Sequence, residues 1–314
     1  MSVTFSGGIT FTGGGFSFTA APPSQPTAAW YAGARPAPAS GANQRVVFAT
    51  DTATATNRGT NNARGSGGVA TLANGWWGGG YTDKTSVNRV TYATDTASVS
   101  TRGPLSAGRY QIAGVSDSST YGWMAGGYVF GPGFFSLIDR ITFATDTATA
   151  TARGSLSSAR AAFGSSFTTT YGWFAGGSPV YLTTVNRIDY SNDTTTASIR
   201  GPLSVGVQEI GGSGDTTYGW FAGGKGSPGD KISTVNRITY ATDTATGTTR
   251  GPLSAARYKA TQAGDSTAGW VAGGAYPEFS MVSRITYATD TDIPSVRGPL
   301  TTGDTFLTAN AGQY

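Results

Sequence analysis

The chain has 314 residues with 47 Gly, only 12% charged residues and a formal net charge of +4. It contains no Cys and no His, which excludes disulfides, thiolate and imidazole metal ligands, and an imidazole general base. No apolar run approaches the roughly 18 residues of a membrane-spanning helix, which predicts no membrane insertion, and residues 1–34 lack the Lys or Arg of an ordinary signal peptide.

Residues 1–26 stand apart from the rest. Val3, Phe5, Ile9, Phe11, Phe16 and Phe18 alternate with small polar residues, interrupted by Gly7-Gly8 and Gly13-Gly14-Gly15. The pattern predicts short strands in an extended N-terminal arm, with Ala21 to Pro26 as its linker. Two placements are open: a strand pair packed on the rim of its own domain, or a docking arm that adds strands to a neighbouring subunit or larger assembly. In the second, Phe5, Ile9, Phe11, Phe16 and Phe18 are the assembly residues, because an isolated hairpin is marginal in water.

From residue 27 to 314 the sequence repeats. Trp30, Trp76, Trp123, Trp173, Trp220 and Trp270 are separated by 46, 47, 50, 47 and 50 residues. Each Trp lies in a strand-like string ending in small residues, such as Tyr171-Gly-Trp-Phe-Ala-Gly-Gly177. A variable segment follows, then a second string such as Arg237-Ile-Thr-Tyr-Ala-Thr-Asp-Thr244 with period-two alternation. A Thr/Ala/Ser strand then runs to Arg-Gly-Pro-Leu, as at Arg250 to Leu253, and a fourth strand is predicted from near Arg257. Asp51, Asp95, Asp146, Asp193, Asp243 and Asp290 fall at a strand junction, where Asp suits a tight turn by bonding its own downstream backbone. Asp215 and Asp265 mark the hairpin before the Trp strand. Four antiparallel strands in about fifty residues make a propeller blade. The tail from Thr301 to Tyr314 aligns with the first strand of a blade, and the distance from Trp270 round the chain ends to Trp30 is 47 residues. The prediction is an all-β, six-bladed β-propeller of four-stranded antiparallel blades, closed by the C-terminal strand.

Sixteen of the seventeen Arg fall at three repeat positions. One set precedes the aromatic string (Arg45, Arg89, Arg140, Arg187, Arg237, Arg284) and one precedes a Gly (Arg58, Arg102, Arg153, Arg200, Arg250, Arg297). A third set is read as Arg64, Arg109, Arg160 and Arg257. Residues spread six-fold cannot form one basic stripe, so no nucleic-acid partner is expected, and the Arg are predicted to bond turn carbonyls or Asp of the same or adjacent blade. The six Trp and the series Phe48, Tyr92, Phe143, Tyr190, Tyr240 and Tyr287 are predicted to be buried between blades, at roughly 1.5 to 3 kcal/mol each.

A strand ending in Gly-Gly, a variable loop, a short aromatic strand, an Asp-Thr turn and an Arg at the next strand resemble kelch repeats. The resemblance spans residues 30–314 with six copies in register, although here the Trp lies just before the Gly pair and not on the outer strand. It implies the propeller fold of residues 27–314.

Glu209 and Glu278 are the only Glu, and most Asp belong to repeat turns, so no catalytic carboxylate pair is apparent. The chain is expected to be non-enzymatic, with no cofactor. Specificity would reside in the loops after the Gly pairs, where Tyr128, Phe130, Phe134, Phe135, Tyr181, Tyr276 and Phe279 are candidate binding residues. These loops should share a face with the Arg-Gly-Pro-Leu junctions. The Thr/Gly/Ala-rich blades and the Phe-Gly arm are similar in style to appendage and accessory proteins of marine bacteriophage virions. That resemblance implies a virion structural protein, in the tail or capsid, partnered by other virion or assembly proteins or by further copies of itself. The alternative is an extracellular or cell-surface lectin or adhesin recognising a glycan or receptor through the same loops.

Overall fold

A computed structural model describes residues 3–5, 9–12, 15–18, 26–33, 41–61, 63–275, 279–303 and 307–310, the first three stretches as backbone only. Among the described residues, six four-stranded antiparallel sheets succeed one another along the chain. The third sheet is representative: Ala113–Ser116 is innermost, followed outward by Tyr121–Ala125, Leu137–Thr142 and Thr151–Ser155. Five sheets take their strands in sequence order. The first blade takes Ala28–Ala32, Ala42–Val47 and Thr56–Thr60 from the N-terminal side and Thr308–Asn310 from the C-terminal side. The innermost strands adjoin one another round a closed ring, the last blade meeting the first. The molecule is therefore a six-bladed β-propeller closed by its C-terminal strand, as the wrap-around spacing predicts. The closing strand is short: Thr308, Ala309 and Asn310 pair with Ala32, Tyr31 and Trp30.

The local sequence explains each strand end. In the blade-three and blade-four Gly pairs, Gly126 and Gly176 mark the exit from the Trp strand, and Gly126 and Gly127 have φ of 63° and 115°. A Cβ at Gly127 would lie 2.5 Å from Ile112 of the same blade, so an L side chain is opposed both by conformation and by space. The six aromatic-Ala/Ser-Thr/Asn strings form single 3-10 turns, such as Phe143–Thr145, that end at the repeat Asp. The predicted hairpin turns are present: Asp215 Oδ1 accepts from the backbone N–H of Thr217 and Tyr218, and Asp265 does the same for Thr267 and Ala268. The innermost strand of blade six begins at Thr261 and not near Arg257, which is buried ahead of it.

The hydrophobic core is distributed between blades. Among the described residues the buried apolar side chains form six clusters, each joining one blade to the next. The cluster between blades two and three shows the composition, with Trp76 and Val87 from one side and Met124, Ile141 and Phe143 from the other. A single blade has no core of its own, so folding requires neighbours on both sides and, finally, closure.

Residues 1–18 contribute a separate antiparallel sheet of Val3–Phe5, Ile9–Thr12 and Gly15–Phe18, whose strands pair with each other and with no blade strand among the described residues. The register pairs Val3 with Phe11 and Phe11 with Phe16, and Phe5 with Ile9 and Ile9 with Phe18. These six apolar positions consequently share one face, while Thr4, Thr10 and Ser17 fall on the other. The arm expected to run extended is thus a small sheet. The linker residues 21–25 lie outside the described residues.

Removing residues 307–314 deletes the innermost strand of blade one and leaves Ala28–Ala32 as an open edge. The expected outcome is self-association in size-exclusion chromatography and a melting temperature lower by on the order of 10 °C. An unchanged monomer with unchanged melting would contradict closure by this strand.

Candidate functional site

The repeat Asp, Arg and Trp meet at the blade boundaries. Trp123 Nε1 of blade three donates to Asp193 Oδ2 of blade four at 2.7 Å. Arg140 reaches the same Asp193 oxygen at 3.1 Å, and Arg153 reaches the other at 2.6 Å. Among the described residues this arrangement recurs at all six boundaries, with Trp–Asp distances of 2.7 to 2.8 Å. The last instance, Trp270, Arg284 and Arg297 on Asp51, joins blade six to blade one. The Trp ring also stacks on the aromatic three residues before that Asp, as Trp123 does on Tyr190 at 4.1 Å and 5°. Gly154 N–H donates to the Asp193 carbonyl at 2.8 Å, and a Cβ there would collide with the Thr195 carbonyl, which accounts for the Gly after the Arg.

This overturns one detail of the sequence reading. The six repeat Asp do occupy turns, but their carboxylates serve the preceding blade and not their own downstream backbone. Arg64 does not share the place of the other three Arg in its set. Arg109, Arg160 and Arg257 are fully buried and bind strand-end carbonyls of their own blade, Arg109 also pairing with buried Asp139 at 2.8 Å. Burial pulls the guanidinium pKa of Arg160 and Arg257 down to about 10, still well above neutrality. Arg64 sits one position further along the repeat, aligned with Tyr110, and lies half-buried with its guanidinium 3.9 Å from the Tyr81 ring centre. The sequence carries a trace of this shift, since Arg64 precedes its Trp by 12 residues and the other three by 13 or 14.

The axis of the propeller holds a cavity of about 140 Å³ lined by all six innermost strands. It is narrow because small residues bring the strands together: a Cβ on Gly114 would collide with the Gly68 carbonyl of the adjacent blade. Glu209 and Lys259 face each other at 3.8 Å at its edge, and burial raises the Glu209 pKa against the opposing pull of Lys259 and Lys225.

The loops after the Gly pairs share a face with the Arg-Gly-Pro-Leu junctions, since Leu156 N–H bonds the Ser136 carbonyl and Leu203 N–H that of Thr183. On this face the structure gathers an aromatic bay from blades two and three. Tyr128 and Phe130 come from the predicted loop of blade three, where Tyr128–Val129 pairs with Gly133–Phe134. Tyr110, from the junction between the blades, stacks on Phe130 at 5.3 Å and meets Tyr128 edge-on at 5.5 Å. Tyr81, from the blade-two loop, lies edge-on to both Tyr110 and Phe130. Phe134 contacts Tyr128 at 5.1 Å. Asp83 Oδ2 accepts from the Phe130 N–H at 3.2 Å and holds the loop in place. Burial, with Tyr128, Asp83 and Tyr81 as neighbours, raises the Tyr110 pKa and keeps its phenol protonated, partly offset by Arg64.

The seven predicted loop residues do not form one site. Tyr128, Phe130 and Phe134 converge in the bay, while half-buried Phe135 engages mainly through its backbone with Gly127 and Arg160. Tyr181 belongs to blade four, its hydroxyl set against Gly229 of blade five, and Phe279 belongs to blade six. Tyr276 lies outside the described residues. Tyr81 and Tyr110 were missed, although Tyr81 follows Gly79-Gly80 just as Tyr128 follows Gly126-Gly127. The side chains of Phe5, Ile9, Phe11, Phe16 and Phe18 are outside the described structure, which gives their strands alone. No family profile matches the chain, kelch or other, and no curated protein matches it.

The boundary chemistry has a measurable consequence. Burial would raise the Asp193 pKa, but Arg153, Trp123 and Arg140 outweigh it and hold the carboxyl below its ordinary value. Its contribution to stability is therefore complete above the unfolded value near pH 3.9 and is lost as pH falls through the lower folded value. Asp193→Asn leaves two guanidiniums unpaired and is expected to cost about 3 kcal/mol in urea unfolding at pH 7. The wild-type advantage over this variant should shrink below roughly pH 4.

Proposed function

We propose that the protein is a non-enzymatic structural component of a larger assembly, of the kind that decorates a virion. In this reading its N-terminal sheet attaches it and its kelch-like propeller presents the loop face. The observation that carries the reading is the register of the N-terminal sheet, which collects six apolar positions on one face. A sheet with one apolar face needs a second layer, supplied here by other virion or assembly proteins or by further copies of the chain. The propeller suits a rigid spacer, because its repeated Asp, Arg and Trp are engaged in holding blades together. No cofactor, nucleic acid or membrane insertion enters this proposal. No helix among the described residues is long and apolar enough to cross a membrane.

A second reading, a carbohydrate- or receptor-binding module at a cell surface or outside the cell, is favoured by the aromatic bay and is compatible with the first. Deleting residues 1–20 separates the two. The expected product is a folded, monomeric propeller that no longer incorporates into its particle or oligomer, measured by co-sedimentation and light scattering. Normal incorporation of the truncated protein would overturn the attachment role.

A further inference from the structure

The bay breaks the repeat. At the position of the paired Tyr110 and Tyr128, blade four carries Ala161 and Ser178, and blade six carries Tyr258 and Ala275. Tyr81, Tyr110, Tyr128 and Phe130 belong to none of the six core clusters, so the fold does not require them for blade packing. Yet they are held firmly, by the Tyr110–Tyr128 backbone bridge and by Asp83 on the Phe130 N–H. Phe130 is 53% exposed and Tyr81 36% exposed. Pre-organised, solvent-facing rings that do no packing work for the core mark a binding surface.

The ring geometry narrows the ligand class. One face of Phe130 is covered by Tyr110, stacked at 21°, leaving the ring to offer a single platform. Tyr81 and Tyr128 stand at 87° and 88° to it, with ring centres 6.1 and 5.7 Å away. Edge-on packing fills the slots that a proline-rich peptide would need between parallel ridges. A flat ring backed by Tyr110 and flanked by the phenols of Tyr81 and Tyr128, with the Arg64 guanidinium on the Tyr81 ring, instead matches a ring that is apolar on its face and hydroxylated at its rim. We propose that Tyr81, Tyr110, Tyr128, Phe130 and Arg64 form a saccharide-binding subsite, with a pyranose stacking its C–H face on Phe130. This rests on the binding-face reading above and names its ligand.

The test uses the full-length protein with cellotetraose, chitotetraose and laminaritetraose as probes in saturation-transfer NMR and calorimetry, and a ten-residue polyproline peptide as the competing probe. Saturable binding of at least one oligosaccharide is expected, with transfer strongest at ring C–H protons. Phe130→Ala should weaken it roughly tenfold or more, whereas Phe279→Ala should leave it unchanged. Both variants should keep the wild-type melting temperature, and Tyr81→Phe provides a milder variant should Phe130→Ala misfold. Binding of none of the three sugars, or binding insensitive to Phe130→Ala and Tyr81→Phe alike, overturns the subsite. Binding of polyproline alone, lost in Phe130→Ala, overturns the saccharide assignment and leaves the binding face standing.

Discussion

A carboxylate shared across a blade boundary is the interaction on which the rest of this propeller depends. Each blade is a thin sheet of small residues, with too little apolar surface to stand alone. Asp193 accepts at once from the Trp123 indole and from Arg140 and Arg153, all of the preceding blade. The carboxylate is nearly inaccessible while its Arg partners remain about a fifth exposed, so its desolvation is offset by charge-assisted bonds and the cations keep part of their hydration. The same Trp presents its ring to Tyr190, three residues before Asp193, which couples polar and dispersive terms in one contact. Tyr190 extends the tie inward through its hydroxyl to the Ser116 carbonyl on the innermost strand of blade three.

The arrangement is directional, from one blade to the next, and direction explains why closure matters. A linear array would leave one Asp without donors and one Trp without an acceptor. In the ring, Asp51 receives from Trp270, Arg284 and Arg297, while Asn310 of the closing strand bonds the Trp76 carbonyl. Third-strand polar residues add a second tie at the far end of each junction, where Asn236 accepts from Ser204 and Gln44 from Thr301. The Arg-Gly-Pro-Leu-Ser/Thr junction thus owes its regularity to bonds at both of its ends.

A scaffold held by identical contacts concentrates individuality at the places where the repeat lapses. The axis is crowded by close approach of small-residue strands and leaves little room. The loop face is different, because a connection there can change its length and composition without disturbing a boundary. Blades two and three use this freedom to assemble rings from three separate connections. The N-terminal sheet is the other departure, built from residues outside the repeat altogether.

Period, strand order and closure were legible in the amino-acid sequence because they are local or arithmetic. Alternation marks a strand, Gly pairs mark its exit, and six Trp at near-constant spacing count the blades. The sequence likewise showed that most Arg and Asp were structural, since function seldom needs a residue six times. It could not say which partners they chose: Trp123 and Asp193 are 70 residues apart, and only the packing of consecutive blades brings them to 2.7 Å. The recruitment of Tyr81 and Tyr110 to Phe130 was hidden for the same reason. A sequence records which side chains each strand or loop carries, whereas the meeting of side chains from different blades is decided by the rotation and spacing of those blades round the axis, and these exist only once the ring is formed.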